Sequence, residues 1–352
     1  MKILVIRFSA MGDVALCLPV LREALNMNPE LQIDFLTNSR FQPIFANIQR
    51  LNVINYNSNK FYIGLIKLLM LFNHLRKNNY SLIIDLHDSL RSKILKFLFS
   101  LSRLKHYSID KGRKQKKDLL GNVHQQISPL IHSTERYAQV FISAGFLVNL
   151  ANKNFTNHGV LFSNSSCIRI EEWFSKHNLK NNHLIGIAPF SQHELKEWPL
   201  EKMLELIKML IEKNNCSIFL FGAGEKEYNR LKLLHTVDYN KIYIVADHFN
   251  LSEELVLMSK LNCMISMDSA NMHLADLSHC PLVYSIWGPT HSNLGFAPFF
   301  QGTKNIIEIP VSKLTCRPCS IYGNTTCSRG DHACMNWINS DLVFEKINKC
   351  IN

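Results

Sequence analysis

Residues 2–37 read KILVIRF (2–8), SAMGD (9–13), VALCLPVLREALN (14–26), MNPEL (27–31) and QIDFLT (32–37). Lys2 to Phe8 is a short apolar run, which predicts a buried strand. From Val14 to Asn26 the period changes, and Leu16, Val20, Leu21 and Leu25 fall on one helical face. Gln32 to Thr37 is a second strand. Strand, helix and strand in so short a span form a βαβ unit, which implies a parallel sheet with helices on both faces.

The same rhythm extends outward. Ile63 to Lys77 reads as a helix and Leu82 to Leu86 as a third strand. It breaks between about Leu150 and Ser166, a stretch rich in Asn and Ser, and restarts with a helix around Ile170 to His177. Strands follow at His183–Ala188, Ser217–Phe221, Lys241–Val245, Cys263–Met267 and Leu282–Ile286, with helices at Leu200–Lys213 and Glu225–Leu234. The expectation is an α/β chain of two Rossmann-like domains, 1–160 and 161–352, without internal sequence repeat.

Of the 352 residues, 47% are apolar and 19% charged, enough for two sizeable cores and against global disorder. The net charge of +11 favours anionic partners such as phosphorylated ligands, acidic membrane surfaces or nucleic acid. Arg7 and Asp13 interrupt the first apolar run and no small-residue cleavage site follows, so a core strand is expected there rather than a signal peptide. Ile63 to Phe72 is far shorter than the ~20 residues of a membrane span. A cytoplasmic protein is expected, peripheral to the inner membrane at most.

The strand-to-helix junctions are where α/β sheets bind ligands. The first, Arg7 to Asp13, lacks G-x-G-x-x-G, which disfavours a dinucleotide oxidoreductase. Ser9 and Gly12 suit a tight turn, and Asp13 stands where a helix begins. By position alone Asp13 is an ordinary helix-start carboxylate. After the strand Cys263–Met267 comes Asp268-Ser269-Ala270-Asn271-Met272-His273. Asp268 is placed to cap a helix whose free N–H groups form an anion site, and the small Ser269 and Ala270 admit a phosphate. An ordinary capped helix is an equal alternative. Between His183–Ala188 and Pro199 lies a loop with Ser191 and Lys196, whose ammonium could neutralise a diphosphate or simply be solvated. Phe221-Gly222-Ala223-Gly224-Glu225 is a third junction where glycines permit close approach.

Cations concentrate from Arg91 to Lys117, with Phe97, Leu98, Phe99 and Leu101 among them. The run reads either as an amphipathic basic surface for anionic lipid or as a solvated face. Cys316, Cys319, Cys327 and Cys334 open with a C-x-x-C pair. Structural zinc, a disulfide and free thiols all fit that spacing, and the cluster is expected to be non-catalytic. The other six cysteines lie mostly in apolar stretches, as buried thiols do.

Taken in order, these segments resemble the lipopolysaccharide heptosyltransferases, glycosyltransferase family 9. The resemblance runs through KILVIRFSAMGDVALCLPVLREAL, DLHDSLRS (85–92), HSTERYAQVFISAGF (132–146), APFSQHELKEWPLEKMLELI (188–207), FGAGEKE (221–227), SMDSANMHLAD (266–276), WGPTH (287–291) and the cysteine-rich tail 316–334. It implies a GT-B fold, two Rossmann-like domains facing each other across a cleft, with the acceptor on the first and an ADP-sugar on the second. It gives Asp13 the role of catalytic base, Lys196 a donor phosphate, Glu225 the ribose, and the helix start Asp268 to His273 the diphosphate, with Ser9, Gly12 and Ser191 as further donor contacts. Arg91, His132 and Arg136 are the expected acceptor contacts. Two departures stand out. Ala270-Asn271 replaces the family's Gly-Pro-like pair, and Phe190-Ser191-Gln192 replaces its G-A-S-like loop.

The expected activity is inverting transfer of heptose from ADP-heptose to a phosphorylated glycolipid, the inner-core lipopolysaccharide acceptor. No Asp-x-Asp motif occurs, and neither cofactor nor catalytic metal is expected. Alternatives are another nucleotide sugar on the same fold, for lipopolysaccharide or capsule, and a basic, zinc-bearing nucleic-acid protein. No recognition helix accompanies the cysteines, so nucleic acid is not an expected partner.

Overall fold

A computed structural model describes residues 1–56, 61–120, 128–179, 182–213 and 216–351. They form two compact units. The first comprises 1–111 and 133–161, the second 112–132 and 162–352.

The first unit is built on β1 (Lys2–Ile6), β2 (Gln32–Thr37), β3 (Leu51–Asn55), β4 (Leu82–Asp85) and β5 (Lys105–Ser108). They pair in the order β3-β2-β1-β4-β5, every pair parallel. β1 is central and its apolar residues are fully buried, as the opening run demands. β3 and β5 are only partly buried, and their polar residues (LNVIN, KHYS) hide them from a reading based on hydrophobicity. The helix expected from Val14 to Asn26 is in fact two, Met11–Ala15 and Leu18–Met27. Pro19 is the cause. It cannot donate within a helix and clashes with the preceding turn, so it sits at the start of the second helix instead.

The second unit carries β6 (His183–Ala188), β7 (Cys216–Leu220), β8 (Ile242–Ile244), β9 (Cys263–Met267), β10 (Val283–Trp287) and β11 (Ile306–Glu308). Their order is β11-β10-β9-β6-β7-β8, again all parallel. Numbered from β6, this is the 3-2-1-4-5-6 order of a doubly wound dinucleotide-type sheet. The C-terminal helix Ser340–Ile351 packs Val343, Phe344 and Ile347 into the same core as Leu200–Lys213. Trp198 and Trp287 are buried core residues. The indole N–H of Trp198 donates to the Ile338 carbonyl at 3.1 Å, and that of Trp287 to Ser285 Oγ at 2.8 Å.

Residues 112–132 depart from the expected boundary at 160, because their partners lie in the second unit. The Leu130 N–H donates to the Asn293 carbonyl at 2.9 Å, and the Lys116 ammonium lies 4.1 Å from the Phe296 ring centre. Gly295 makes this approach possible. It has φ +84°, and a Cβ there would stand 2.6 Å from the Ile131 carbonyl oxygen. Gly295→Ala therefore meets both backbone strain and a backbone clash. The expected loss is about 1–3 kcal/mol of stability, read by chemical denaturation.

Candidate functional site

In a sheet wound outward in both directions, the loops leaving its two central strands diverge and leave a crevice at their carboxyl ends. In the first unit those strands are β1 and β4. The segment after β1, a loop leading into helix Met11–Ala15, carries Arg7 to Asp13, and the loop after β4 carries Leu86 to Ser89.

Arg7 is buried and forms an ion pair with the Asp13 carboxylate, whose side chain is 34% exposed. Its second anchor is the Leu86 carbonyl, which accepts from Nη1 at 2.5 Å. The guanidinium also lies 5.6 Å from the Tyr137 ring centre. Burial works against the charge on Arg7, but Asp13, Tyr137 and Cys17 together outweigh it, so its pKa is raised. The Tyr137 hydroxyl donates to the Asp13 carbonyl at 3.3 Å. Thus Asp13 is held by side chain and by backbone, while part of its carboxylate faces solvent. Ser9 and Gly12 flank it, half-buried.

The β4 loop is fixed in turn by Asp85. Its Oδ1 accepts from the N–H groups of His87 and Asp88, each at 2.9 Å, and its Oδ2 pairs with Lys96 Nζ at 2.9 Å. His87 Nδ1 accepts the Phe8 N–H at 3.3 Å, joining the two loops. Burial, and then the nearby charges of Arg7 and Lys111, push the His87 pKa down to about 3. Near neutral pH this imidazole is uncharged and its Nδ1 is engaged as an acceptor. Arg91 stacks on the other side of the loop, 5.4 Å from the Phe8 ring centre.

In the second unit the central strands are β6 and β9. Lys196 follows β6 and Asp268 follows β9, and they meet with Nζ 2.9 Å from Oδ2. Thr290 Oγ1 donates to the same carboxylate oxygen at 2.8 Å. Asp268 is thus a partner of Lys196 and not the helix cap expected from sequence. The N-cap of helix Ala270–Leu277 is Ser269, and no side chain caps it. Instead the Ser269 hydroxyl lies 3.1 Å from Ser266 Oγ. Ser191 Oγ donates to the Asp268 carbonyl at 3.3 Å. Ala270 and Asn271 are half-buried in the first turn, whereas the side chains of Met272 and His273 point into the core. An ammonium beside an uncapped helix start is suited to an anion. Glu225 is exposed in the first turn of helix Gly224–His235.

The cysteine-rich segment packs behind Lys196. His332 Nε2 is 2.7 Å from the Leu195 carbonyl, and a Cβ on Gly323 would lie 2.4 Å from Lys196 Cγ. Buried Arg317 donates to the carbonyls of Gly288, Ile309 and Thr290 and pairs with Glu308 at 2.9 Å. Cys316, Cys319, Cys327 and Cys334 are free thiols around one small cavity. Burial pushes the Cys334 thiol up to about 12. Among the described residues no group of three or more possible ligands is disposed to hold a metal ion.

The expected acceptor contacts are divided between the two units. Arg91 lies at the β1–β4 crevice. Arg136 is buried in helix Ser133–Ser143 and donates to the Asp110 carbonyl at 3.3 Å, also in the first unit. His132 belongs to the second unit, with Nε2 2.8 Å from the Ala297 carbonyl. Within the cationic run 91–117, Lys96 and Lys116 are buried, and residues 112–117 belong to the second unit.

Comparison with known proteins bears on the family and the fold. A model of glycosyltransferase family 9 (heptosyltransferase) matches residues 68–325. Lipopolysaccharide heptosyltransferase 1 of Campylobacter coli is 26% identical over 303 residues, 83% of this chain and 85% of that protein. Lipopolysaccharide core heptosyltransferase OpsX of Haemophilus influenzae is 20% identical, covering 87% of this chain and 83% of its own. Among solved structures, the E. coli ADP-heptose LPS heptosyltransferase II superposes with a TM-score of 0.70 at 19% identity, covering 100% of this chain and 98% of that one. E. coli heptosyltransferase WaaC with ADP gives 0.68 at 18% identity, covering 99% of this chain and 100% of that one. These likenesses establish the GT-B fold.

The low pKa of His87 has a consequence for stability. Below pH 6.5 the unfolded chain takes a proton at His87 that the folded chain refuses. This contribution is therefore present above pH 6.5 and is lost as pH falls toward 3. His87→Gln, which keeps an acceptor for Phe8, should reduce the loss of stability between pH 7 and about pH 4 in urea titrations.

Proposed function

The chain belongs to glycosyltransferase family 9, the heptosyltransferase family, and from that membership we propose that it transfers heptose from ADP-heptose to an inner-core lipopolysaccharide acceptor, inverting the anomeric centre without a bound metal or cofactor. The observation that carries this reading is Asp13, a carboxylate fixed by Arg7 and Tyr137 at the crevice of the first sheet and still reachable from solvent.

Asp13 takes the proton from an acceptor hydroxyl as that oxygen attacks the anomeric carbon. The bond from that carbon to the diphosphate breaks on the opposite face, and ADP leaves with its electron pair. Negative charge grows on the departing phosphate. Lys196 and the uncapped start of helix Ala270–Leu277 are preorganised for it, which favours the transition state over the bound donor. Asp268 and Thr290 hold the Lys196 ammonium in place beforehand. The cationic charge supplied by these groups is what a donor-bound divalent ion would otherwise provide. His87 is the poorer base, because burial and nearby cations hold its pKa down to about 3 and its Nδ1 lone pair accepts the Phe8 N–H.

Glu225 takes the ribose hydroxyls and Arg91 a phosphate of the glycolipid acceptor. That acceptor brings the enzyme to the cytoplasmic side of the inner membrane. The unusual pairs Ala270-Asn271 and Ser191-Gln192 line the donor loops. They favour, as a second reading, a different nucleotide sugar on the same machinery.

Two substitutions test the assignment, with ADP-heptose and a heptose-free Kdo–lipid A acceptor. Asp13→Ala should lower kcat by about 10²–10⁴-fold while ADP still binds. Lys196→Ala should cost about 10²–10³-fold in kcat/KM and weaken ADP binding. Donor binding without transfer by the wild-type chain would point to a heptosylated acceptor. Failure to bind ADP-heptose at all would overturn the donor assignment.

A further inference from the structure

Helices Phe61–Leu75 and Leu90–Ser100 lie side by side on the first sheet. Their inner residues, among them Leu68, Leu75, Leu95 and Phe99, belong to one core cluster, and the Phe72 and Phe99 rings meet edge to face at 4.9 Å. With their inner sides fixed on the same core, their outer sides face solvent on the same side of the unit.

Those outer sides are not polar. Ile66, Leu69 and Met70 are exposed on the first helix, while Leu90, Phe97 and Leu101 are exposed along the second. Met70, Phe97 and Leu101 are 67%, 64% and 71% exposed. Within each helix the spacing is helical: 66 to 70, and 90 to 97 to 101. On each helix the exposed apolar side chains share one side, with Lys93 exposed between Leu90 and Phe97, and an exposed apolar side of this kind marks an interaction surface. The charge around it is mainly of one sign. Neither helix contains an acidic residue, and Lys67, Arg76, Lys77 and Arg103 are exposed on them or just beyond their ends, while Lys93 pairs with Asp88 at 3.5 Å.

We propose that this face is a docking surface for an anionic phospholipid bilayer. Apolar side chains interleaved with long cationic ones suit the boundary between headgroups and acyl chains, where the apolar tips enter and the cationic heads stay with the phosphates. A protein partner complementary to these helices would need acids as well as an apolar groove. A bilayer supplies a continuous sheet of both phosphate and hydrocarbon. The inference deepens the proposed function, because a glycolipid acceptor lies in such a surface, but its test does not depend on turnover.

The full-length protein is sedimented with vesicles of equimolar phosphatidylglycerol and phosphatidylethanolamine, and with vesicles of phosphatidylcholine alone. The wild type should bind the former and not the latter. F97S/L101S, with an unchanged melting temperature, should bind about tenfold or more weakly. I66Q/M70Q on the neighbouring helix should do the same, and K77Q/R103Q should lose much of the salt-sensitive part of the affinity. Transfer to a detergent-dispersed, delipidated acceptor should be unchanged in all three. The proposal falls if the wild type ignores anionic vesicles, or if both apolar double variants bind them as well as the wild type does. It also falls if the patch instead holds two copies together, seen as a wild-type dimer that becomes monomeric in F97S/L101S and binds no vesicles. Vesicle binding by a chain that transfers no sugar would support the docking surface and overturn the functional reading alone.

Discussion

A parallel strand cannot be followed by its neighbour through a tight turn; the chain must cross the sheet before it returns. When successive crossovers build a sheet outward in both directions from its first strand, the connections of the two central strands leave on opposite faces. That constraint is met twice here, at β1 and β4 and at β6 and β9. No side chain has to be placed to create either crevice. What each loop must supply is chemistry at a position already open, and both do: Asp13 after β1, with His87 after β4, and Lys196 after β6, with Asp268 after β9. The two units share a winding but no repeated sequence, so the likeness of the sites comes from topology.

Charge is brought to these crevices in pairs. Arg7 with Asp13, Lys96 with Asp85 and Lys196 with Asp268 are each at least partly withdrawn from water. An isolated buried charge costs several kcal/mol, and a buried pair roughly breaks even at best. Such pairs are therefore poor candidates for stabilising the fold. Their further bonds are directional. Arg7 is tied to the Leu86 carbonyl, Asp85 to two backbone N–H groups, and Asp268 to the Thr290 hydroxyl. At the ends of strands and the starts of helices, these bonds fix where a carboxylate or an ammonium points.

The strands with a strongly apolar run were legible from sequence, because burial on both faces leaves them few polar residues. β3 and β5 were not, because edge strands covered on fewer sides keep polar residues that resemble loops. Asp13, Lys196 and the helix start at Ser269 were legible as junction residues, since the strand-to-helix transition is visible in the hydrophobic period. Their partners were harder. Arg7, Thr290 and Tyr137 act across 6, 22 and 124 positions of sequence, and periodicity carries no information about such pairings. Asp268 shows the limit most clearly. A carboxylate just before a helix reads as a cap by local chemistry, yet a lysine 72 positions earlier in the chain claims it. Local propensity gave way to a tertiary ion pair.

The cationic stretch after β4 makes the same point about surfaces. Composition gives it one character, many cations among aromatic and aliphatic residues. The helix Leu90–Ser100 gives adjacent residues opposite fates, because at about 100° per residue Phe97 and Phe99 lie some 200° apart. Phe99 turns into the core and Phe97 out to solvent. Lys96 is drawn inward by Asp85, a buried carboxylate that needs a partner, while Lys93 stays outside. Ordinary amphipathic packing would put the apolar side chains inward and the cations outward. Here the interior holds a cation because it already holds an acid. The exterior keeps Phe97 and Leu101 although no residue of this core calls for them there. Stability of the unit does not account for that outward stripe, so its origin has to be sought in what the surface meets.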